Sequence, residues 1–530
     1  MNIEKILNSL TDEELCAEVL VWELNSIDTN VNLDDFVRKN KVSNYFVNGA
    51  PRDKFNEMSS IVKKYTKTSE LVCADVESGP IYIKEIYNLL PKPFALGAAN
   101  DENLVFEAGK YTGRFGRSVG IHMTFSPVVD ININKDNPIV NQRSVSDDHE
   151  RVLRIAGAYG KGIDSENYMK AVYKHFPGDG VDDRNQHFCT SINSLSKDEW
   201  DSSFGTVYSS LIKDGIDAIM VAHIALPCYD DTQDELGYIP ATLSKKIMTG
   251  LLREKLGYDG CIVSDALNMI GITSRIPQDK LAIEFLRAGG DLVLFPYDND
   301  LDNLLSALKS GYLPRERLRD AARRVLKLKE KLGLFENRIY EPTNDDKEKF
   351  KQISQNLADK SISLIRNFDN VLPLDISNCN RALVITLCPG EQNIDNDPLG
   401  LFSEELEKRG INVVRLTNPH YSKVRDIIDA ADAVFVISNI GINLSGSSLR
   451  LGWSHFMSFW RSVIFRNKNL VFISFADPYK LYELPFLKTY VNAYSDSITS
   501  IKSAVSACFG EIEFEGNNPV QLGGFFVRGK

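Results

Sequence analysis

Between Lys174 and His187 the chain reads Lys-His-Phe-Pro-Gly-Asp-Gly-Val-Asp-Asp-Arg-Asn-Gln-His, following an apolar run at Tyr168 to Tyr173. One short stretch thus holds two imidazoles, two cations, three carboxylates and two glycines, and it reads as a flexible loop. Imidazoles exchange protons near neutral pH, and scaffold loops rarely need two of them. A second run, Gly260-Cys261-Ile262-Val263-Ser264-Asp265-Ala266-Leu267-Asn268-Met269, is an apolar strand that ends on a carboxylate. A strand-end aspartate together with a His-bearing loop supplies a nucleophile and a general acid/base. Asp265, read as exposed and therefore ionised at neutral pH, needs no activating base. His187 has the ordinary imidazole pKa of ~6.5 that suits giving and then taking a proton. The competing readings are structural. Ser264 or Asp265 would cap a following helix, and His187 would be an ordinary surface histidine.

These segments resemble glycoside hydrolase family 3, and within it the β-N-acetylglucosaminidase branch. That branch carries Lys-His-Phe-Pro-Gly, a loop ending in Asp-Ser-His, and a nucleophile in a Ser/Thr-Asp-x-Leu-x-Met setting. Further segments match in family order. Asp75-Val76-Glu77-Ser78-Gly79-Pro80 is similar to its Asp-x-Glu-Gly-Gly loop. Phe125 to Asp130, Asp136-Asn137-Pro138 and Arg143-Ser144 are similar to the segment that supplies a sugar-binding arginine. Pro240 to Ser244 and Ala288 to Asp291 also fit.

The resemblance implies roles. Asp265 would form a covalent glycosyl-enzyme and His187 would be the acid/base, an exception to the usual pair of carboxylates. The residue two before the histidine orients its ring; here it is Asn185, where the branch has aspartate. An amide oxygen can still accept from the ring N–H, while Asp182 and Asp183 are the alternative carboxylates. Asp75, Arg143, Lys174 and His175 would bind sugar hydroxyls; the alternative for each is a structural ion pair at the barrel mouth. Asp179 is a second departure, standing where the branch has histidine. Family-3 β-glucosidases place an acidic acid/base in a second domain, but the comparable segment here, residues 438–445, contains no Asp or Glu. No metal and no cofactor is implied.

Elements must carry these groups. Thr11-Asp12-Glu13-Glu14 predicts a capping box opening a first helix. Short apolar runs then recur at Val19–Trp22, Tyr45–Val47, Leu71–Ala74, Met123–Val129, Ala171–Tyr173, Ile216–Ala222, Gly260–Val263 and Asp291–Phe295, separated by helical patterns. Such alternation predicts a parallel sheet with helical crossovers, here a (β/α)₈ TIM-type barrel. Asp75, Asp130, His175, His223 and Asp265 fall at or just past strand ends, the face where such barrels place their active sites. A polar stretch at Glu341 to Lys347 marks a boundary. The chain divides into a catalytic barrel at 1–345, a linker helix at 346–365, and a smaller α/β layered domain at 366–530 with strands near Arg381–Leu387, Val413–Leu416, Ala433–Ile437 and Leu470–Phe475.

Composition narrows the function classes. A chain of 530 residues needs more than one core. Its formal net charge of −11 argues against nucleic acid or an anionic membrane as a main partner. Eight cysteines show no paired spacing, and the amino terminus lacks a basic and then apolar leader. These features predict a cytoplasmic protein, and the resemblance implies a small carbohydrate substrate. The resemblance implies a retaining, exo-acting β-N-acetylhexosaminidase that releases terminal β-linked N-acetylglucosamine from small glycoconjugates such as cell-wall fragments. Three alternatives stand beside it: a phosphorylase of β-N-acetylglucosaminides or β-glucosides, another family-3 β-glycosidase, and a glycan-binding pseudoenzyme. A neutral histidine without an aspartate partner repels phosphate less than a carboxylate would.

Overall fold

The computed structural model describes residues 2–24, 31–47, 52–80, 83–336, 338–389, 399–442 and 450–525. The capping box forms: Glu14 N–H donates to Thr11 Oγ1 at 3.2 Å, and Thr11 N–H donates to the Glu14 carboxylate at 3.0 Å. It opens helix Asp12–Ala17, which is the second helix because a short helix, Ile3–Ser9, precedes it. The first strand follows almost at once.

Eight parallel strands make the barrel: β1 Leu20–Glu23, β2 Asn44–Phe46, β3 Leu71–Ala74, β4 Met123–Thr124, β5 Lys170–Phe176, β6 Ala218–Val221, β7 Cys261–Ser264 and β8 Val293–Leu294. They neighbour one another in chain order, with β8 returning beside β1. A parallel bridge from Val263 to Leu292 brings β7 to β8 and closes the ring. All eight apolar runs became strands, as the alternation predicts. Inward side chains such as Val21, Phe46, Cys73, Met123, Val172, Met220, Val263 and Leu294 fill the barrel as one buried cluster. Phe46 stacks on Phe125 with ring centres 5.7 Å apart. Val325 and Leu328, from helix Arg315–Lys331, join this cluster. Arginines of the same helix bind the buried Asp291, with Arg317 at 2.6 Å. Arg253 also pairs with Asp291, and Ile262 N–H donates to it at 2.8 Å. Asp291 therefore works at the start of β8, remote from the strand ends that face the mouth.

Helix Asn344–Ser361 is capped by Thr343, with Asp346 reciprocating. Phe350 and Leu357 on it bury in the barrel's outer core, while Gln355 Nε2 reaches Ser503 Oγ at 2.9 Å. The linker expected at residues 346–365 starts at the third residue of this helix and runs on into the next strand. The second domain is a six-stranded sheet: β9 Ser363–Asn367, β10 Arg381–Leu387, β11 Asn412–Thr417, β12 Ala433–Ser438, β13 Leu470–Ser474 and β14 Thr489–Asn492. Its order is β9-β14-β13-β12-β10-β11, parallel except where β9 runs antiparallel to β14. Leu383, Ile385 and Leu387 face one core and Ala382 and Val384 the other, so both faces are covered. The sequence reading missed β9 and β14. β9 is an edge strand with a polar end, and β14 is only four residues long.

All eight cysteines are free. Burial pushes the Cys16 and Cys508 thiols up to about 12, which keeps them inert. Among the described residues no helix is long and apolar enough to cross a membrane. In the same set, no three His, Cys, Asp or Glu residues are grouped to hold a metal ion.

Candidate active site

The structure moves two of the expected loop residues onto a strand. β5 runs on to Phe176, which pairs with Val221, so Lys174 and His175 sit on β5 itself. Strand pairing extends because Val128 bridges Lys174 and Val129 N–H donates to the Lys174 carbonyl at 2.7 Å. A strand carries these side chains more rigidly than a loop would. The loop beyond is also fixed, contrary to the flexible reading of its glycines. Gly178 and Gly180 have φ of +120° and +102°. A Cβ at Gly178 would lie 2.2 Å from the Phe204 ring, and one at Gly180 would lie 2.1 Å from the Ile131 carbonyl oxygen. Both glycines permit close packing, not motion. Trp200 Nε1 donates to the Pro177 carbonyl at 2.9 Å, and Asn193 Nδ2 to that of Gly178 at 3.0 Å.

Around the β3 and β5 ends lies a charged cluster. Lys174 Nζ is 2.8 Å from Glu77 and 3.1 Å from Asp75. Arg143 binds Glu77 with two contacts, at 2.7 and 3.0 Å. Burial opposes ionisation of Glu77, but Arg143 and Lys174 outweigh it and hold its carboxyl well below the usual range. Asp75, with 45% of its side chain exposed, opens to the mouth. The ion pairs considered as alternatives therefore do form, and they fix Lys174 and Arg143 beside an exposed carboxylate.

His175 rests on Asp130. Its Nδ1 is 2.6 Å from one Asp130 oxygen, and its backbone N–H donates to the other at 3.2 Å. Asp179 N–H donates to that second oxygen at 2.8 Å. One Asp179 oxygen accepts from Asn137 Nδ2 at 2.8 Å and from Gly180 N–H at 2.6 Å. The other is buried without a partner among the described residues. Burial and the adjacent Asp130 push the Asp179 carboxyl up to about 6.

Asp265 directly follows β7. Its N–H donates to the Val221 carbonyl at 2.9 Å, and its Oδ1 accepts the Ala266 N–H at 2.8 Å. Ser264 Oγ accepts the Leu294 N–H at 2.9 Å, tying β7 to β8. The next helix begins at Ile270 and has no side-chain cap bond. Neither Ser264 nor Asp265 is a helix cap. Asp265 is half-buried, not exposed as its strand-end position suggests. Burial works against its ionisation, but the His223 and His175 rings, the Ala266 N–H and Lys174 hold its pKa below the ordinary value. His223 Nε2 lies 3.0 Å from the Ala266 carbonyl, and its Nδ1 lies 3.0 Å from Thr242 Oγ1. Burial lowers its pKa, so the neutral ring donates from Nε2 and accepts at Nδ1. This orients the turn that carries Asp265.

His187 Nδ1 lies 2.8 Å from Asn185 Oδ1, which also accepts the His187 backbone N–H at 2.9 Å. Both bonds need an oxygen, which sets the amide orientation and puts the ring proton on Nδ1. Nε2 is left as the exchangeable site. Burial lowers the His187 pKa; the Asp265 charge opposes this, while Arg143 and the other two histidines add to it. Neither alternative carboxylate takes that place on the ring. Asp182 pairs with Arg184 at 2.7 Å and accepts the Ile192 N–H at 2.7 Å, and Asp183 is exposed. The segment after Asp265 touches the same loop, because Ile270 N–H donates to the His187 carbonyl at 3.0 Å. Of the comparable second-domain segment, residues 443–445 lie outside the described residues.

The family described as glycosyl hydrolase family 3 N terminal domain matches residues 19–328. The chain belongs to glycoside hydrolase family 3. It is 30% identical over 475 residues to a beta-N-acetylglucosaminidase/beta-glucosidase of Cellulomonas fimi, covering 85% of this chain and 83% of that protein. A solved beta-glucoside phosphorylase, BglX, superposes with a TM-score of 0.87 at 28% identity, covering 98% of this chain and 96% of that one. A family-3 beta-N-acetylglucosaminidase from Paenibacillus sp. str. FPU-7 shares the fold with a TM-score of 0.83 at 24% identity, covering 98% of this chain and all of its own, 100%.

For this family-3 enzyme, three supporting residues were not assigned from sequence: Glu77, Asp130 and Thr242. Each lies inside a quoted motif, so its presence was visible. Its partner was not, because Glu77 meets Arg143 and Lys174 across 66 and 97 positions of chain. One prediction arises directly from the His187 contact. Asn185→Asp puts a carboxylate 2.8 Å from Nδ1, which favours the imidazolium and raises the His187 pKa. A donor acid is active below its pKa and is lost as pH rises through it. The alkaline limb of the pH–rate profile moves to higher pH, with rates on that limb rising on the order of tenfold. An unmoved profile shows that residue 185 does not govern the ring.

Proposed function

We propose that this family-3 enzyme releases terminal β-linked N-acetylglucosamine from small glycoconjugates with retention. Asp265 attacks the anomeric carbon while protonated His187 gives its Nε2 proton to the leaving oxygen. The resulting glycosyl ester on Asp265 is then cleaved by water, whose proton returns to His187. Asp75, Lys174, Arg143 and His175 hold the sugar hydroxyls, and Asn185 orients the His187 ring. The observation that carries this reading is the fixed His187 tautomer, whose Nε2 has no partner among the described residues, on a loop that Ile270 N–H ties to the segment following Asp265. The Cellulomonas fimi relative supports the sugar class. The free cysteines support a cytoplasmic setting.

A second reading rests on the Asn185–His187 pair itself. The pair carries no negative charge when His187 is neutral, and Arg143 lies near enough to oppose protonation of the ring. Such a site admits phosphate as the acceptor in place of water, and the similarity to a beta-glucoside phosphorylase supports it. One assay separates the readings: turnover of aryl β-N-acetylglucosaminide and aryl β-glucoside, each with and without inorganic phosphate. The hydrolase reading expects free N-acetylglucosamine, with the glucoside slower and phosphate without effect. Sugar 1-phosphate as the main product overturns hydrolysis. A faster glucoside overturns the sugar class, and no turnover of either leaves a pseudoenzyme.

A further inference from the structure

We propose that the second domain sets the sugar-binding geometry of the barrel by clamping residues 130–151, with Tyr479 as a positioning residue. This strap carries Asp130 at its start and Arg143 in the short turn Asn141–Arg143. Apart from that turn and the start of the helix at His149, it has no regular structure, and a loop this long needs outside support to hold a side chain in place. Its base is pinched, because Ser144 Oγ donates to the Asp130 carbonyl at 2.7 Å and Asn132 N–H donates to the Ser146 carbonyl at 3.0 Å. Its middle lies on the acid/base loop. Asn137 Nδ2 donates to Asp179 at 2.8 Å and to the Asp182 carbonyl at 2.7 Å, and Asn134 N–H to the Gly180 carbonyl at 2.8 Å.

The remaining support comes from the second domain. Asn132 Nδ2 donates to Tyr479 Oη at 2.6 Å, in a contact where both residues are buried. Ser146 Oγ donates to the Pro519 carbonyl at 2.6 Å, and Gln521 N–H to Asp147 at 2.6 Å. Arg450 pairs with Asp136. Gly441 packs beside Gln142, the neighbour of Arg143, so closely that a Cβ there would sit 3.1 Å from Gln142 Nε2. The second domain thus holds the strap from its start to beyond Arg143. It acts on the sugar through Asp130, which holds His175, and through the turn that aims Arg143. The proposal rests on the reading of Arg143 and His175 as sugar-binding residues.

The test uses the full chain with Tyr479→Phe, Gly441→Ala, Asn132→Ala, and the Asn132→Ala/Tyr479→Phe pair. Arg143→Ala serves as the reference. kcat, KM for an aryl glycoside, inhibition by the free sugar and thermal unfolding are measured. Tyr479→Phe is expected to raise KM and the sugar inhibition constant together by about tenfold, with kcat changed by less than about twofold. Gly441→Ala, which alters no polar group, is expected to shift KM the same way. The paired variant is expected to be no worse than its worse single member, because both remove one bond. If Arg143→Ala raises KM while Tyr479→Phe and Gly441→Ala lower only the unfolding temperature, the clamp is merely structural and the proposal is overturned. If Arg143→Ala leaves KM unchanged, the sugar-binding reading fails and the clamp falls with it.

Discussion

Asp265→Asn is expected to cut turnover by roughly 10⁴-fold or more, the scale of loss when a group at the reacting centre is removed. The amide is nearly the same size as the carboxylate. Its oxygen can still accept the Ala266 N–H that now donates at 2.8 Å, so the turn after β7 should hold its shape. What it lacks is the negative charge and the second oxygen that make a carboxylate nucleophilic enough to form a glycosyl ester. The half-buried position strengthens this expectation, because the Lys174 charge favours an anion there and offers nothing comparable to a neutral amide. The check is kcat/KM on an aryl glycoside together with thermal unfolding. A well-folded variant that keeps substantial activity rules out Asp265 as nucleophile.

His187→Ala should divide substrates by their leaving groups. Proton donation is worth about 10²–10⁴-fold, and only where the leaving oxygen needs the proton. Alkyl or sugar aglycones are expected to lose that much, while a dinitrophenyl glycoside loses less than about tenfold in its first step. The wild-type pH profile carries the same signature. His187 must be protonated to donate, and burial lowers its pKa below the ordinary imidazole value. Activity on unactivated substrates should therefore fall as pH rises through that lowered pKa, and an activated substrate should show little of this alkaline loss. Equal losses for both substrate types in the alanine variant place the acid elsewhere.

The chain's local patterns determined the scaffold and marked Asp265 and His187 as candidates for the reacting pair. Each barrel strand is a short apolar run between helical stretches, a pattern set by nearest neighbours and visible without partners. Asp265 was legible because it ends such a run, and His187 because it closes a polar loop after another. The tertiary structure decided what depends on distance through space. It extended β5 to Phe176 by pairing with Val221, which put Lys174 and His175 on a strand. Phe204 and Ile131 pressed against Gly178 and Gly180, which turned a loop read as flexible into a rigid one. Arg184 and Ile192 occupied Asp182, and Asn185 was left as the partner of His187. Glu77 became a hub only when folding brought Arg143 and Lys174 to it. Strand periodicity is written in adjacent residues, whereas an ion pair or a packed glycine depends on atoms far apart in the chain, so only the folded molecule could disclose them.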